Sequence, residues 1–339
     1  MTKRKAVVIG CGAIGPIHAA AIVRSADAEL YGVCDIVEAR AATLAEQYQC
    51  RTFTAYEDVL ADPAIDSVHI CTPHYLHAEM AIHAARAGKH IVLEKPIALN
   101  LVEARTIKAV VKETGVACCT VLQNRLNPSV EKAKEWIAAG KLGNMLGIKG
   151  FLTWRRTAEY YHSEAWRGKW ATEGGGLLIN QALHMLDLMS YLGGEITATK
   201  GNIDTRVLQD CIEVEDTADA TLYYKDGKTG LFFATNGHSQ DSPFFIEMHM
   251  EKGIIRYMDN QLTVRTDSGS DLLATDEKTV LGKAYWGSGH ALQIGSFYRS
   301  LAEGGCNYPG LEDAAASLGL LLAIYKSSKT RKKEQVETL

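Results

Sequence analysis

The chain has 339 residues, more than one typical domain needs and enough for two. Hydrophobic residues make up 47% of it and charged residues 22%, which is typical of a soluble globular protein with a sizeable core. The net charge of −4 gives no electrostatic reason to expect nucleic acid or an anionic membrane as a partner. No apolar run is long enough to span a membrane, and we expect no signal peptide, because residues 1–5 lead directly into the first apolar strand.

The eight cysteines follow no disulfide or metal-ligand spacing. Cys118 and Cys119 are adjacent, and the other six lie singly along the chain. Free thiols of this kind behave as small hydrophobic side chains and are typical of a reducing compartment. We therefore expect a cytoplasmic protein without a metal site.

The first fifteen residues combine an apolar run at 5–9, Gly10-Cys11-Gly12-Ala13-Ile14-Gly15, and apolar residues at helical spacing. The pattern G-x-G-x-x-G between a strand and a helix is the dinucleotide-binding fingerprint. In it Gly10 permits a tight turn, Gly12 lets the backbone approach a pyrophosphate, and Gly15 lets the helix lie close to the strand. The simpler alternative is an ordinary strand-to-helix turn.

A second apolar run at 29–34 ends in Asp35, about twenty positions after the glycines. A carboxylate at this place can accept hydrogen bonds from an adenosine ribose, and its charge would repel the 2′-phosphate of NADP. The sequence therefore predicts NAD, with NADP less favoured. Arg40 is the nearby cation that could weaken this preference. Alternatively, Asp35 only caps the helix that follows.

Strands and helices alternate as far as residue 121, which predicts a doubly wound parallel sheet. The predicted strands are 5–9, 29–34, 66–71, 90–93 and 116–121, and the predicted helices are 14–25, 37–47, 56–61, 76–87 and 100–115. Two polar segments, Thr72–His77 and Glu94-Lys95-Pro96, follow neighbouring strands at the carboxyl edge, where ligands bind in such folds. Lys95 is either a functional lysine at this edge or a solvated surface residue.

The pattern changes after residue 122. A linker-like segment at 123–128 leads into a predicted helix at 128–139, a strand at 142–154, an aromatic loop at 155–173 and a helix at 177–192. Six extended runs between 195 and 266 predict a large, mostly antiparallel open sheet, and helices are predicted near 288–303 and 311–328. We therefore expect a Rossmann domain at 1–122 and an α/β substrate-binding and oligomerisation domain at 123–339. The last helix is a candidate to lie back on the first domain.

The predicted helix at 177–192 carries two stripes of side chains. Its apolar stripe consists of Leu178, Ala182, Met185, Met189 and Leu192. Its polar stripe consists of Asn180, His184, Asp187 and Tyr191, and such a stripe normally faces solvent. The preceding run, Gly174–Gly176, would let another group approach the start of the helix closely.

Three motifs occur in the order of a known family: Gly10–Gly15, Glu94-Lys95-Pro96, and the segment from Gly174 to Asp187 that contains His184. Over nearly its whole length the chain resembles the glucose–fructose oxidoreductase / inositol dehydrogenase (Gfo/Idh/MocA) family. The resemblance implies nicotinamide-dependent oxidation or reduction of a secondary alcohol on a sugar, glycoside or cyclic polyol. It makes Lys95 the catalytic lysine and His184 its partner. It also implies a homodimer or homotetramer built through the second sheet.

Oxidation of an alcohol releases a proton, which needs a base with a pKa near the working pH. Lysine starts at about 10.4 and needs burial or positive neighbours to come down, whereas histidine starts near 6.5. The hypothesis is that Lys95 polarises or deprotonates the hydroxyl and His184 shares or relays the proton. Glu94 is expected to point away from Lys95 and to contact backbone or cofactor.

Many polyol dehydrogenases of this family have aspartate where this chain has Asn180, and an amide cannot accept a proton. This mildly favours a pyranose ring oxidised in place over free inositol. Two other readings stay open: a redox-assisted glycoside hydrolase or lyase that retains NAD, and a non-catalytic NAD-binding sensor. Intact Lys95 and His184 count against the sensor.

The motifs and the resemblance together predict which residues form the site. The predicted cofactor-binding residues are Gly10, Gly12, Ala13, Ile14, Gly15, Asp35, Ile36, Arg40, Thr72, Pro73, His74, His77, Glu94, Lys95, Pro96, Gln123, Asn124, Trp166 and Arg167. The predicted substrate-binding residues are Lys95, Asn124, Tyr161, Trp166, Arg167, Asn180 and His184. Further candidates on the aromatic loop are Tyr160, His162 and Trp170, whose alternative is simple packing within the loop.

Overall fold

The computed structural model describes residues 3–277 and 287–339. These residues form two compact units. The first unit comprises 3–123 and 288–314, and the second comprises 124–277, Gly287 and 315–339. None of the helices in these described ranges is both long and apolar enough to cross a bilayer.

The first unit is built on a six-stranded parallel sheet in the order β3-β2-β1-β4-β5-β6. Its strands are β1 (Arg4–Ile9), β2 (Ala28–Cys34), β3 (Arg51–Phe53), β4 (Ser67–Ile70), β5 (His90–Leu93) and β6 (Cys118–Thr120). Its helices within the first 123 residues are α1 (Gly15–Arg24), α2 (Glu38–Tyr48), α3 (Tyr56–Ala61), α4 (His77–Arg86) and α5 (Leu101–Thr114). The sequence did not predict β3, because this strand is three residues long and buries only Phe53.

The strand order reverses beside β1, which lies between β2 and β4. In open α/β sheets such a switch point opens a crevice at the carboxyl ends of the strands. The glycine motif follows β1 and Thr72 follows β4, so both segments lie at this switch point. The doubly wound parallel sheet predicted from sequence is confirmed.

Helix α10 (Gly289–Glu303) belongs to the first unit, although the sequence-based boundary assigned residues 288–314 to the second domain. Its Phe297 and Tyr298 are fully buried in the same apolar core as α1 and β1. Helix α11 (Leu311–Thr330) begins in the first unit and continues in the second. A stretch far along the chain thus completes the first core.

The second unit contains a nine-stranded sheet in the order β14-β13-β12-β11-β7-β10-β9-β8-β15. Its strands are β7 (Met145–Thr153), β8 (Ile196–Asp204), β9 (Thr217–Tyr224), β10 (Thr229–Thr235), β11 (Phe245–Met250), β12 (Gly253–Met258), β13 (Gln261–Thr266), β14 (Gly269–Thr275) and β15 (Glu334–Gln335). All neighbours pair antiparallel except β7 and β10, which run parallel. The largely antiparallel sheet is therefore confirmed, whereas its two outermost strands were not predicted.

The remaining helices of the second unit are α6 (Pro128–Ala138), α7 (Ala158–His162), α8 (Leu177–Asn180) and α9 (Leu183–Gly193). The sequence predicted α8 and α9 as one helix, and this was wrong. The Ala182 N–H bonds the Leu177 carbonyl at 2.8 Å, one residue further back than in a regular α-helix. This wider turn separates the two helices.

Candidate active site

The fingerprint loop has the geometry that its glycines predict. Gly10 has φ of +94°, and a Cβ there would lie 2.6 Å from the Cys71 carbonyl oxygen. A Cβ on Gly15 would lie 2.2 Å from the Gly10 carbonyl oxygen. Gly12 meets nothing within 4 Å, so its backbone borders open space. The loop therefore leaves room for a pyrophosphate beside Gly12 and the start of α1.

Asp35 is fixed by two backbone hydrogen bonds at the end of β2. Its Oδ2 accepts from the Cys11 N–H at 2.8 Å, and its Oδ1 accepts from the Val37 N–H at 2.8 Å. Each carboxylate oxygen can accept a further hydrogen bond, so these contacts orient Asp35 without using up its capacity for a ribose. Ile36 beside it is 93% exposed. The bond to Cys11 joins Asp35 to the glycine loop, which a simple cap would not require.

His77 joins the two polar segments at the carboxyl edge of the sheet. Its Nδ1 lies 2.6 Å from the Pro96 carbonyl oxygen and its Nε2 lies 2.8 Å from the Thr72 carbonyl oxygen. The ring is 1% exposed, and burial lowers the pKa of His77. His77 thus connects the segments that follow β4 and β5. Its predicted contact with the cofactor stays a prediction.

Glu94 lies in a buried polar chain that sequence analysis missed. Its Oε1 is 3.0 Å from His18 Nε2, and its Oε2 accepts from the Lys95 N–H at 3.1 Å. The chain continues from His18 Nδ1 to His69 Nδ1 at 2.9 Å, and from His69 Nε2 to the Tyr298 hydroxyl at 2.7 Å. His18 stands at an ordinary core position of α1, so only the tertiary structure reveals it as the partner of Glu94.

This chain of hydrogen-bonded side chains holds Glu94 in its charged form. Burial alone would raise the pKa of Glu94, but the His18 hydrogen bond and the positive potential of His18, His290 and Lys95 lower it to about 2. Glu94 is therefore not poised to accept a proton near neutral pH. Lys95 follows it at the end of β5 with a partly exposed side chain, and the Lys95–Pro96 peptide bond is cis.

In the second unit, Asn180 and His184 are partly exposed, whereas the segment around them is buried. Every other residue from Leu177 to Met189 is buried. Asp187, predicted on the same polar stripe, is fully buried, which corrects its expected exposure. Its carboxylate pairs with the Arg125 guanidinium at 2.7 and 2.9 Å and accepts from Ser317 at 2.8 Å.

Several of the predicted site residues of the second unit contact Tyr160 or a neighbour of Tyr160. The Arg167 guanidinium lies over its ring at 4.2 Å, and Trp166 lies 5.4 Å from the same guanidinium. The Tyr160 hydroxyl accepts from Gln181 Nε2 at 3.1 Å and from Asn180 Nδ2 at 3.4 Å. Burial raises the pKa of Tyr160, so this hydroxyl is neutral near neutral pH. The structure thus brings Arg167 and Asn180 to Tyr160, and it places Trp166 beside the Arg167 guanidinium.

Two other aromatic candidates have packing contacts of their own. Tyr161 is 3% exposed in a small apolar cluster, and its hydroxyl accepts from Asn236 Nδ2 at 3.0 Å. Trp170 is 42% exposed, and its indole N–H donates to the Glu213 carbonyl at 2.8 Å. These contacts favour the simple packing alternative for both residues. The predicted contact of Tyr161 with substrate stays a prediction.

The glycine run before α8 lets two other groups approach the start of the helix closely, as the sequence predicted. A Cβ on Gly175 would lie 2.0 Å from the Tyr325 hydroxyl, and one on Gly176 would lie 2.1 Å from the Glu215 carbonyl oxygen. The buried Glu215 carboxylate accepts from Gly176 N at 3.0 Å, Leu178 N at 2.8 Å and the Tyr325 hydroxyl at 2.9 Å. Sequence analysis missed Glu215, which starts α8 and so positions the segment that ends in Asn180.

The segment 123–128, predicted to be a linker, contains a helical turn, Gln123–Leu126, whose first two residues are buried. Gln123 is 2% exposed and Asn124 is 6% exposed, and the two residues lie on either side of the boundary between the units. Among the residues that the structure describes, no cluster of three or more His, Cys, Asp or Glu side chains could hold a metal ion.

Comparison with known families identifies both parts of the chain. Residues 4–122 match the family model described as "Oxidoreductase family, NAD-binding Rossmann fold", and residues 130–256 match the "GFO/IDH/MocA C-terminal domain". The chain belongs to this family. It is an oxidoreductase that uses NAD, and the glycine loop and Asp35 fit that cofactor.

Individual relatives agree with the family assignment. The scyllo-inositol 2-dehydrogenase (NAD(+)) of Bacillus subtilis (strain 168) is 30% identical over 96% of this chain and 94% of its own length. A levoglucosan dehydrogenase solved with NADH and levoglucosan has a TM-score of 0.89 at 25% identity, covering 99% of this chain and all of its own. The WlbA dehydrogenase of Bordetella pertussis, solved with NADH and UDP-GlcNAcA, has a TM-score of 0.85 at 28% identity over 99% of both chains. These relatives support the dehydrogenase reading, and they lend no support to the hydrolase or sensor readings.

Proposed function

We propose that this NAD-dependent oxidoreductase acts on a secondary alcohol of a sugar, glycoside or cyclic polyol. The observation that carries the proposal is the partial exposure of Asn180 and His184 in a segment whose other residues are buried. Polar side chains that stay accessible in such a segment are candidates for ligand binding. The named substrates of the relatives, inositol, levoglucosan and a nucleotide-linked sugar acid, are all ring polyols or sugars.

When bound, NAD supplies the acceptor for the hydride. Lys95 is proposed to hold and deprotonate the reacting hydroxyl, and His184 to share or relay the proton. Histidine is suited to this task because its ordinary pKa lies near neutrality. Glu94 is proposed to stay outside the proton transfer, because His18 already holds its carboxylate charged.

The test is a screen for NAD reduction against inositols, free sugars, methyl glycosides, levoglucosan and uronic acids, repeated with NADP. Wild type is expected to reduce NAD with one of these classes. Lys95→Ala is expected to lose at least about a hundredfold in kcat, as general acid–base residues typically do. Lys112→Ala on α5 is the matched control, since Lys112 is an exposed lysine of the same unit and should leave activity unchanged.

Two outcomes would contradict the proposal. Equal activity of Lys95→Ala and wild type would remove Lys95 from the chemistry. Cleavage of an aryl glycoside by protein that already contains NAD, with no net NAD reduction, would replace the dehydrogenase with the hydrolase. NADH fluorescence titration of each variant checks that the cofactor still binds.

We propose also that the protein is a homodimer or homotetramer built through the second sheet. Phe233, Phe151, Phe245 and Met258 are register partners on the consecutive strands β10, β7, β11 and β12. The Phe151 and Phe245 rings stack at 5.7 Å, and Phe151 is 38% and Met258 41% exposed. A row of apolar side chains across one sheet face is typical of a surface that another molecule covers.

We place the protein in the cytoplasm. All eight cysteines are free thiols, and Cys11, Cys34, Cys71, Cys118 and Cys119 are buried. Thiols in this state fit a reducing compartment. Fractionation of the native host cells would test this placement.

A further inference from the structure

Glu173 is a fully buried carboxylate that connects two predicted substrate-binding segments. Its Oε1 accepts from Asn180 Nδ2 at 2.5 Å, and its Oε2 accepts from the Gly168 N–H at 2.5 Å. Gly168 directly follows Trp166 and Arg167, and it has φ of +73°. One carboxylate therefore holds both the backbone beside Arg167 and the side chain at position 180.

These contacts fix which end of the Asn180 amide faces Glu173. A carboxylate only accepts hydrogen bonds, so the amide must turn its NH2 group towards Glu173. The second N–H of that group is directed at the Tyr160 hydroxyl, at 3.4 Å. The amide's other end, the carbonyl oxygen, therefore faces away from Glu173. On that side position 180 presents an acceptor without a negative charge.

We propose that Glu173 is a positioning residue that sets the hydrogen-bond polarity of Asn180, which means that it determines which end of the amide faces outward. With the carbonyl oxygen outward, the site selects a substrate hydroxyl that donates a hydrogen bond to position 180. This inference rests on the proposed function. It explains how Asn180 can take the place of an aspartate: a carbonyl oxygen held outward accepts the same hydrogen bond, although it cannot take the proton. Proton transfer then falls to Lys95 and His184.

The single-atom change Glu173→Gln should reverse this polarity. The Gly168 N–H still needs an acceptor, so the glutamine carbonyl will face Gly168 and its NH2 group will face Asn180. Two NH2 groups cannot hydrogen-bond each other, so Asn180 must turn its carbonyl inward and its NH2 group outward. A donor then meets the substrate hydroxyl where an acceptor stood.

The double change Glu173→Gln/Asn180→Asp should restore the acceptor, because the NH2 group of the introduced glutamine can donate to the new carboxylate. Asn180→Asp alone should instead set a half-buried carboxylate against the buried carboxylate of Glu173, so that the two share a proton. Tyr160, Tyr161 and Tyr325 feel the charge of Glu173, and burial raises the pKa of each. These phenols stay neutral near neutral pH and do not compete for that proton. The guanidiniums of Arg156 and Arg167 lie over the Tyr160 ring and carry fixed positive charges.

The experiment measures two properties of wild type and the three variants. With myo-inositol and levoglucosan as probe substrates, Glu173→Gln should raise KM by about tenfold or more, and the double variant should bring it back towards wild type. Relative to wild type at the same pH, the unfolding midpoint of Asn180→Asp should fall as pH rises above about 4, because the carboxyls of the unfolded chain then ionise while the folded pair still holds its shared proton. The double variant should lose this pH dependence.

Glu215→Gln, alone and with Asn180→Asp, is the matched control. Glu215 is a buried carboxylate of the same unit, and it accepts hydrogen bonds from Gly176, Leu178 and Tyr325. Burial raises the pKa of Glu215 to about 7, so Glu215→Gln alone should show a weaker pH dependence than wild type and serves as the baseline. Relative to that baseline, the combination with Asn180→Asp should keep the pH dependence that Asn180→Asp introduces. An unchanged KM in Glu173→Gln, or a double variant as pH-sensitive as Asn180→Asp, would overturn the inference. If wild type turns over no probe substrate, the proposed function fails, while the unfolding data still decide the role of Glu173.

Discussion

Glu94 shows how one residue's surroundings decide whether it serves as a base or as a fixed charge. Its neighbour Lys95 is the proposed catalytic residue, and the sequence predicts that the Glu94 side chain points away from Lys95 to contact backbone or cofactor. The structure directs Glu94 Oε1 to His18 and its Oε2 to the Lys95 backbone N–H. The buried histidines behind it, His69 and His290, have pKa values lowered mainly by burial. Glu94 thus belongs to the core of the first unit.

This arrangement makes a pH-dependent contribution to stability. Because folding lowers the pKa of Glu94 from 4.5 to about 2, its contribution is fully present above about pH 4.5 and is lost as pH falls through about 2. A difference of this size corresponds to about 3 kcal/mol at neutral pH. We expect wild type to exceed Glu94→Gln in unfolding free energy near neutrality, with the margin shrinking as the solution is acidified.

Denaturant titrations of both proteins at a series of pH values measure this margin. The exposed Glu46→Gln on α2 serves as the control and should run parallel to wild type. A margin that stays constant from neutral pH down to about pH 3 would show that the charge of Glu94 does not stabilise the fold.

At the scale of the element, helix α8 starts where the backbone of residue 176 lies so close to neighbouring residues that only glycine fits. Gly176 faces the Glu215 carbonyl and Val214, so an added Cβ at 2.1 Å must displace backbone. We expect Gly176→Ala to destabilise the protein by about 1–3 kcal/mol through overpacking, and to lower kcat/KM because Asn180 lies four residues further on.

Gly295 provides the matched control, because it lies within helix α10 and a Cβ there meets nothing within 4 Å. Gly295→Ala should stabilise the protein by up to about 1 kcal/mol, as alanine does in a helix interior. Urea unfolding of the two variants compares them directly. Equal stability of Gly176→Ala and wild type would mean that the loop before α8 yields easily and does not position Asn180.

At the scale of the whole molecule, the open face of the second sheet bears on assembly. Phe151 lies at the centre of the apolar row, between its register partners Phe233 and Phe245. Phe151→Glu would place a charge in the middle of the proposed subunit interface. We expect light scattering after size exclusion to show an oligomer for wild type and a smaller species for Phe151→Glu.

Leu272→Glu tests whether any charge on an exposed leucine of this sheet has the same effect. Leu272 is 58% exposed on the outermost strand β14 and should leave the mass unchanged. A monomeric wild type, or an unchanged mass for Phe151→Glu, would refute the proposed interface. Thermal unfolding of both variants checks that the sheet itself is intact.

Features that depend on local spacing could be predicted from the amino-acid sequence. The alternation of apolar runs with helical segments predicted the parallel sheet, and the glycine pattern with Asp35 predicted an NAD site, because each signal lies within a few turns of chain. The resemblance through Lys95 and His184 predicted the family. The run Gly174–Gly176 predicted a close approach, although it could not say that Tyr325 and Glu215 would be the groups that approach.

Contacts between residues far apart in the chain became visible in the folded structure. Helix α10 joins the first core through Phe297 and Tyr298, His18 binds Glu94, and Asp187 is buried against Arg125. None of these pairings has a local periodicity, since each brings together residues more than sixty positions apart. The break between α8 and α9 likewise escapes prediction. Local spacing shows which face of an element is apolar, whereas the partner of a buried charge is set by the packing of the whole unit, because burial makes an unpaired charge costly.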